Sequence, residues 1–302
     1  MLEKIYFWKV RRGYSAPVIA TLAIAIGLLV LASAAFAWWY YGVKIPADKK
    51  QIVQQQALRK KQADLAAIAA FYKKSLAGTD IPQAISILGE IRQNTLALAA
   101  VGIAIKNRNF FCDTKSCVLG FKIEQGAILT LPVIQFFGKE YFASVPVRRE
   151  KDRTPINDFE YTRLTLPPAE NRLLTQWESK QELSLHSCNE IIAYVNTYNS
   201  LLNTKGSNVK QRDGIILFKS YPASAVKDKE RALAGHLPFR GLMSAGWEMQ
   251  VNDDGALFMA RAPEINAQIA LYKQAWRDAF LIKKIESNDK GIKISGGLVC
   301  KV

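Results

Sequence analysis

Few side chains in this sequence stand in patterns that do chemistry. Ser224-Ala225-Val226-Lys227 has the Ser-x-x-Lys form in which a lysine assists a serine nucleophile. Neither a Ser-Asp-Asn nor a Lys-Thr-Gly element accompanies it, and a match this short arises readily by chance. Gly241-Leu242-Met243-Ser244-Ala245-Gly246 approaches a nucleophile elbow, but with one residue too many before the serine for the strained turn to form. His186 and Cys188 are close in sequence, yet two residues apart on a helix point in different directions. His186 and His236 are the only histidines among 302 residues, which argues against a histidine-rich metal centre or two His-dependent sites. No P-loop and no dinucleotide fingerprint is present. The expectation is a chain with no catalytic residue, cofactor or metal.

The cysteines are better placed to cross-link than to react. Cys112, Cys117, Cys188 and Cys300 are even in number, and Cys112-Asp-Thr-Lys-Ser-Cys117 can close a short loop between two strands in an oxidising compartment. The expected pairing is Cys112 with Cys117. Cys188 with Cys300 is a second disulfide candidate, buried free thiols being its alternative. A four-cysteine zinc site lacks the second close pair it would need.

The compartment is set by the N-terminus. Gly13 to Val43 holds no charged residue, and Pro17 to Val43 exceeds the roughly 20 apolar residues that a helix needs to cross a bilayer. Tyr6, Phe7 and Trp8 precede the run and Trp38, Trp39, Tyr40 and Tyr41 close it, as aromatic belts do. A cleavable signal peptide is the alternative, with Ala35-Phe36-Ala37 as its cleavage site. Because the apolar run continues beyond Ala37, an uncleaved anchor is the better reading. Lys4, Lys9, Arg11 and Arg12 argue for a cytoplasmic N-terminus, Lys44, Lys49 and Lys50 oppose it, and long translocated domains largely escape the rule. The body is therefore expected in the periplasm of a bacterium, beyond the inner membrane.

Next come the elements that would hold these residues. Asp48 to Ala77 is rich in Gln, Ala, Lys and Leu, and Leu58, Leu65, Ile68, Tyr72 and Leu76 form one apolar stripe. The stripe predicts a helical stalk that pairs with a partner as a coiled coil; an amphipathic helix packed on its own domain is the alternative. Lys44, Lys49, Lys50, Arg59, Lys60 and Lys61 could also meet lipid phosphates. Beyond Gly78, Asp80 or Thr79 can cap a helix that has Pro82 in its first turn. Val101 to Ile105 and Ser116 to Glu124 follow as strands. Ile128 to Val147, with Pro132 and Pro146, fits either a broken helix or edge strands, and Arg148 to Pro168 reads as a connection.

A second helix-rich stretch runs from Leu173 to Leu202, and Ile215 to Lys219 is a strand. Ala245 to Val251 and Ala256 to Arg261 flank the hairpin turn Asn252-Asp253-Asp254-Gly255. Ile265 to Phe280 is helical, and Leu281 to Glu286 and Ile292 to Cys300 are strands about a turn at Asn288 to Gly291. Helix, strand, strand thus occurs twice, which predicts a membrane-anchored α+β fold with antiparallel sheets and ferredoxin-like units. The divisions are 1–16 as a basic tail, 17–43 as the span, 44–78 as the stalk, and 79–165 and 166–302 as two α+β units.

The net charge of +15 is spread over the chain, without a zinc finger, an RNA-binding aromatic signature or a dense recognition helix, so nucleic acid is not the expected partner.

The basic tail, single span, stalk and helix-hairpin units resemble the inner-membrane alignment proteins PilN and PilO of type IV pilus machines, with relatives in type II secretion. The best local matches are Val101 to Ile105 with Ser116 to Glu124, and Leu281 to Glu286 with Ile292 to Cys300. The larger body after Arg148, with Cys188 and Cys300, marks a divergent member. The resemblance implies a non-catalytic scaffold that joins other inner-membrane pilus or secretion-machine proteins through stalk and membrane helix, as a homo- or hetero-oligomer. An assembly factor of a type IV secretion or conjugation channel shares the plan. A membrane-tethered periplasmic enzyme or ligand-binding module is a third reading.

Overall fold

The computed structural model describes residues 16–103, 105–124, 132–145, 158–169, 171–203, 214–237, 240–252, 263–274, 276–288 and 291–301. The basic tail, the turn after Asn252 with the strand expected at 256–261, and the tip of the last hairpin lie outside them. The chain divides into two compact units, Met1–Asp64 and Leu65–Val302.

In the first unit, Ala16–Trp39 forms helix α1, apolar all round, and its side chains from Thr21 onward are exposed. A helix with no polar face reserves no side for a core. Among the described residues it lies in the one helical run long and apolar enough to cross a membrane. Tyr40–Lys44 continue as a π-helical turn, and α2 spans Ile45–Leu76.

The second unit opens with the last turns of α2. Helix α3 (Ile81–Ala100) is capped by Asp80, whose carboxylate accepts the Gln83 N–H at 2.9 Å, with Pro82 in the first turn. It runs on to Ala100 and stops at Gly102, whose φ of +84° suits a residue without a Cβ. Strand β1 is therefore Ile105–Cys112, and Val101, expected to begin a strand, lies in the helix exit. Then follow β2 (Ser116–Ile123), the small hairpin β3 (Ile134–Phe136) and β4 (Lys139–Tyr141), β5 (Asp158–Thr165), α4 (Arg172–Glu178), α5 (Cys188–Asn203), β6 (Ile216–Phe218), α6 (Lys227–Ala232), β7 (Leu242–Asn252), α7 (Pro263–Tyr272), β8 (Phe280–Asn288) and β9 (Gly291–Lys301).

Among the described residues seven strands make one antiparallel sheet in the order β5-β2-β1-β8-β9-β7-β6. Its centre is the short pairing of β1 with β8 through Phe111↔Glu286 and Cys112↔Ile285. Outward from that seam both halves read alike: hairpin partner β2 or β9, then a third strand, β5 or β7. Helices α3 and α7, which precede β1 and β8, pack against each other. The repeated helix, strand, strand is thus present, joined in one continuous sheet. The seam is held as well by the buried ion pair of Arg108 on β1 with Glu264 in the first turn of α7, and by the Phe110 N–H donating to Ser287 Oγ at 2.7 Å.

Alternation along the strands makes two faces. Phe280, Ile282, Leu298 and Trp247 point to the side of α3, α5 and α7 and form the main core with Ile87 and Phe121. Leu281, Val299 and Leu242 point the other way, into a smaller core. Elsewhere the second face is solvated and carries ion pairs, Glu248 with Lys293 at 3.0 Å and Lys284 with Glu286 at 2.6 Å. The expected Cys112–Cys117 disulfide closes the β1–β2 hairpin, and of the two alternatives for Cys188 and Cys300 the disulfide is the one formed, fastening the start of α5 to β9.

Candidate functional site

The second face is dry where α2 ends on it. Ile68, Tyr72 and Leu76 recur every four residues, so they share one side of the helix. They are 5%, 1% and 0% exposed, packed with Leu173, Val226, Leu242, Leu281 and Val299, and Leu65 lies half-buried against the same cluster. Burial of each such side chain contributes roughly 1.5–3 kcal/mol.

Polar contacts fix where along the sheet the helix sits. Tyr72 Oη donates to the buried Glu230 carboxylate of α6 at 2.7 Å and accepts the Leu242 N–H at 3.4 Å; the Gly241 N–H donates to the second Glu230 oxygen at 3.2 Å. Burial first, then the hydrogen bond to Glu230, pushes the Tyr72 phenol far above its ordinary 10.0. Ser75 Oγ donates to Ser244 Oγ at 3.1 Å. The last carbonyls of a helix have no partner within it. Here the Lys74 carbonyl accepts from Lys283 Nζ at 2.8 Å, and those of Leu76 and Gly78 accept from Asn171 Nδ2 at 2.5 and 3.1 Å. Burial, with Lys74 second, holds the Lys283 ammonium below its usual 10.5.

Two glycines make room. Gly78 turns the chain out of α2 at φ +144°, and a Cβ on Gly297 would come 3.5 Å from the Ser75 carbonyl and 3.3 Å from the Lys283 side chain. Beyond them the Thr79 N–H donates to the Ile282 carbonyl at 2.8 Å, and the Ile282 N–H returns to Thr79 at 2.9 Å. The end of α2 is bound at side chain, backbone and exit turn.

The stripe expected to face a partner therefore divides. Ile68, Tyr72 and Leu76 are occupied by the body's own sheet, as in the alternative of a helix packed on its own domain. Leu58 is 59% exposed. About five turns upstream of Ile68, Tyr72 and Leu76, at the same azimuth, stand Lys50, Gln54 and Leu58. Ile52 and Val53, exposed as well, point to other sides of the helix. Along this azimuth the described residues above Leu65 are therefore only partly apolar, Leu58 standing with Gln54 and Lys50.

The residues weighed for catalysis lie apart. The Ser224 hydroxyl accepts the Val226 N–H at 3.4 Å ahead of α6, and Lys227 is exposed. Ser244 is inside strand β7, with no elbow about it. His186 meets the Trp276 ring edge-on at 4.5 Å, its backbone carbonyl accepts the Lys301 N–H, and Cys188 is held in its disulfide. A polar cleft of about 160 Å³ lies beside Asn109, Gly120, Lys122, Asp158 and Glu160. Among the described residues no group of His, Cys, Asp and Glu could hold a metal ion.

Sequence reading did not single out Glu230, Asn171, Lys283 or the pair Arg108–Glu264. Nothing local separates buried Glu230 from exposed Asp228, since the partner that makes burial tolerable lies 158 residues away. What the junction does is mechanical: it fixes the azimuth and register of a helix end on a sheet.

Comparison with protein-family models, with curated proteins and with solved structures finds no match.

Proposed function

We propose that this chain is a single-pass, non-catalytic scaffold of the bacterial inner membrane, with its N-terminus cytoplasmic and its α+β body periplasmic, serving a type IV pilus biogenesis machine of the PilN and PilO kind. The observation that carries the reading is the seating of α2: the helix that enters the body is clamped by Tyr72, Asn171 and Lys283 onto a sheet built of two helix-strand-strand halves, which we read as ferredoxin-like. A clamped helix end passes displacement to the sheet, which positional coupling across an envelope requires. Two disulfides suit an oxidising compartment.

Copurification of the full chain from native membranes tests the proposal. Co-eluting inner-membrane pilus proteins are the expected result, together with activity of an alkaline phosphatase fused after Val302. A fusion active only as a cytoplasmic reporter, or partners all drawn from soluble metabolism, overturns it.

A further inference from the structure

We propose that Lys44, Lys49 and Lys50 form a headgroup site that gathers anionic phospholipid around the membrane helix. The proposal rests on the reading of α1 as a span. Trp38, Trp39, Tyr40 and Tyr41 close the apolar run, and rings of this kind settle at the edge of the hydrocarbon core. The π-helical turn Tyr40–Lys44 follows directly, and Lys44 Nζ lies 5.7 Å from the Trp39 ring centroid and 5.8 Å from that of Tyr40. Both rings draw the ammonium back to belt level, where lipid phosphates are.

Distance then sorts the remaining cations. At 1.5 Å per residue, Lys49 and Lys50 lie about 15 Å beyond Trp39 and Arg59, Lys60 and Lys61 about 30 Å. The headgroup layer is roughly 5–7 Å deep. Lys49 and Lys50 are within a side chain's reach plus one Debye length of about 8 Å; the distal three are not. Asp48 is the one acid between Lys44 and Lys61, and all three near lysines are exposed. Among the described residues of this part of the helix, the three lysines are the charged groups nearest the headgroups, outnumbering Asp48 three to one.

The test uses the full chain in vesicles of phosphatidylcholine containing phosphatidylglycerol, with one or the other lipid brominated so that it quenches nearby tryptophan. Brominated phosphatidylglycerol should quench more than brominated phosphatidylcholine at equal fraction. K44Q/K49Q/K50Q should lower that enrichment at least about fivefold, what one lysine near a charged surface supplies, whereas R59Q/K60Q/K61Q should leave it unchanged. Lys4, Lys9, Arg11 and Arg12, on the other side of the span, are the same in both variants. Enrichment that survives K44Q/K49Q/K50Q, or falls equally in the distal variant, overturns the proposal. Equal quenching by both lipids overturns it while leaving the span intact; no quenching by either removes the span and the site together.

Discussion

The two ends of helix α2 share a period and differ in fate. From Ile68 to Leu76 one side is Ile, Tyr and Leu, sealed against the sheet, with Leu65 half-buried at its edge. From Lys50 to Leu58 the same azimuth reads Lys, Gln and Leu, and it is exposed. A stripe is a statement about direction, whereas burial needs apolar chemistry at each successive turn and a surface of matching shape. Gly78, Gly297 and the alternation that aims Leu281 and Val299 at the helix supply that surface for the lower end.

The contrast is sharpest if charge is placed on each end in turn. Ile68→Asp puts a carboxylate among Leu173, Leu242 and Val299, and should cost more than about 3 kcal/mol, or leave the body unfolded, in urea titrations of the full chain followed by tryptophan fluorescence. A cost below 1 kcal/mol would mean that the clamp does not hold in solution. Tyr72→Phe takes one donor from the buried Glu230 carboxylate and should cost about 1–3 kcal/mol. In a double-mutant cycle with Glu230→Gln the two losses should fall short of additivity.

Alkaline titration probes the same contact. Above pH 10.0 an unfolded chain gives up its phenolic protons while folded Tyr72 keeps its own, so stability falls as pH rises, by up to about 1.4 kcal/mol per unit for each such tyrosine. Tyr161, raised to about 12 by burial, contributes a second share lost between 10.0 and about 12. Tyr72→Phe should abolish the first share and leave the second; an unchanged alkaline slope would mean that burial and Glu230 do not hold the Tyr72 proton. Asn171→Ala removes the donors to Leu76 and Gly78 and the cap of α4, where its side chain accepts the Leu174 N–H, for about 1–2 kcal/mol. Leu58→Asp, about four turns before Tyr72, should stay within about 0.5 kcal/mol.

What could be read from residues alone was whatever local order determines. The last hairpin, strand β2 with the Cys112–Cys117 loop before it, the cap of α3 and the long apolar helix each follow from neighbours in sequence. Strand β5 was hidden in a stretch read as a connection, because Glu160 and Arg163 interrupt its buried Phe159, Tyr161 and Leu164. β1 escaped for the same reason: Lys106, Asn107, Arg108 and Asn109 look like loop until the carboxylate of Glu264, far along the chain, meets Arg108. The junction was legible as a stripe and illegible as a site, since its polar half comes from Glu230, Asn171 and Lys283, brought in by the sheet.

The place of β9 bears on how the molecule is made. Strand β9 follows β7 and β8 in sequence yet lies between them in the sheet, and it carries the cysteine that pairs with Cys188. Until residue 301 is delivered, β8 and β7 have no common neighbour and Cys188 no partner. Completion of the sheet therefore waits for β9, and until that strand arrives the chain must keep the open edges of β8 and β7 from pairing with others.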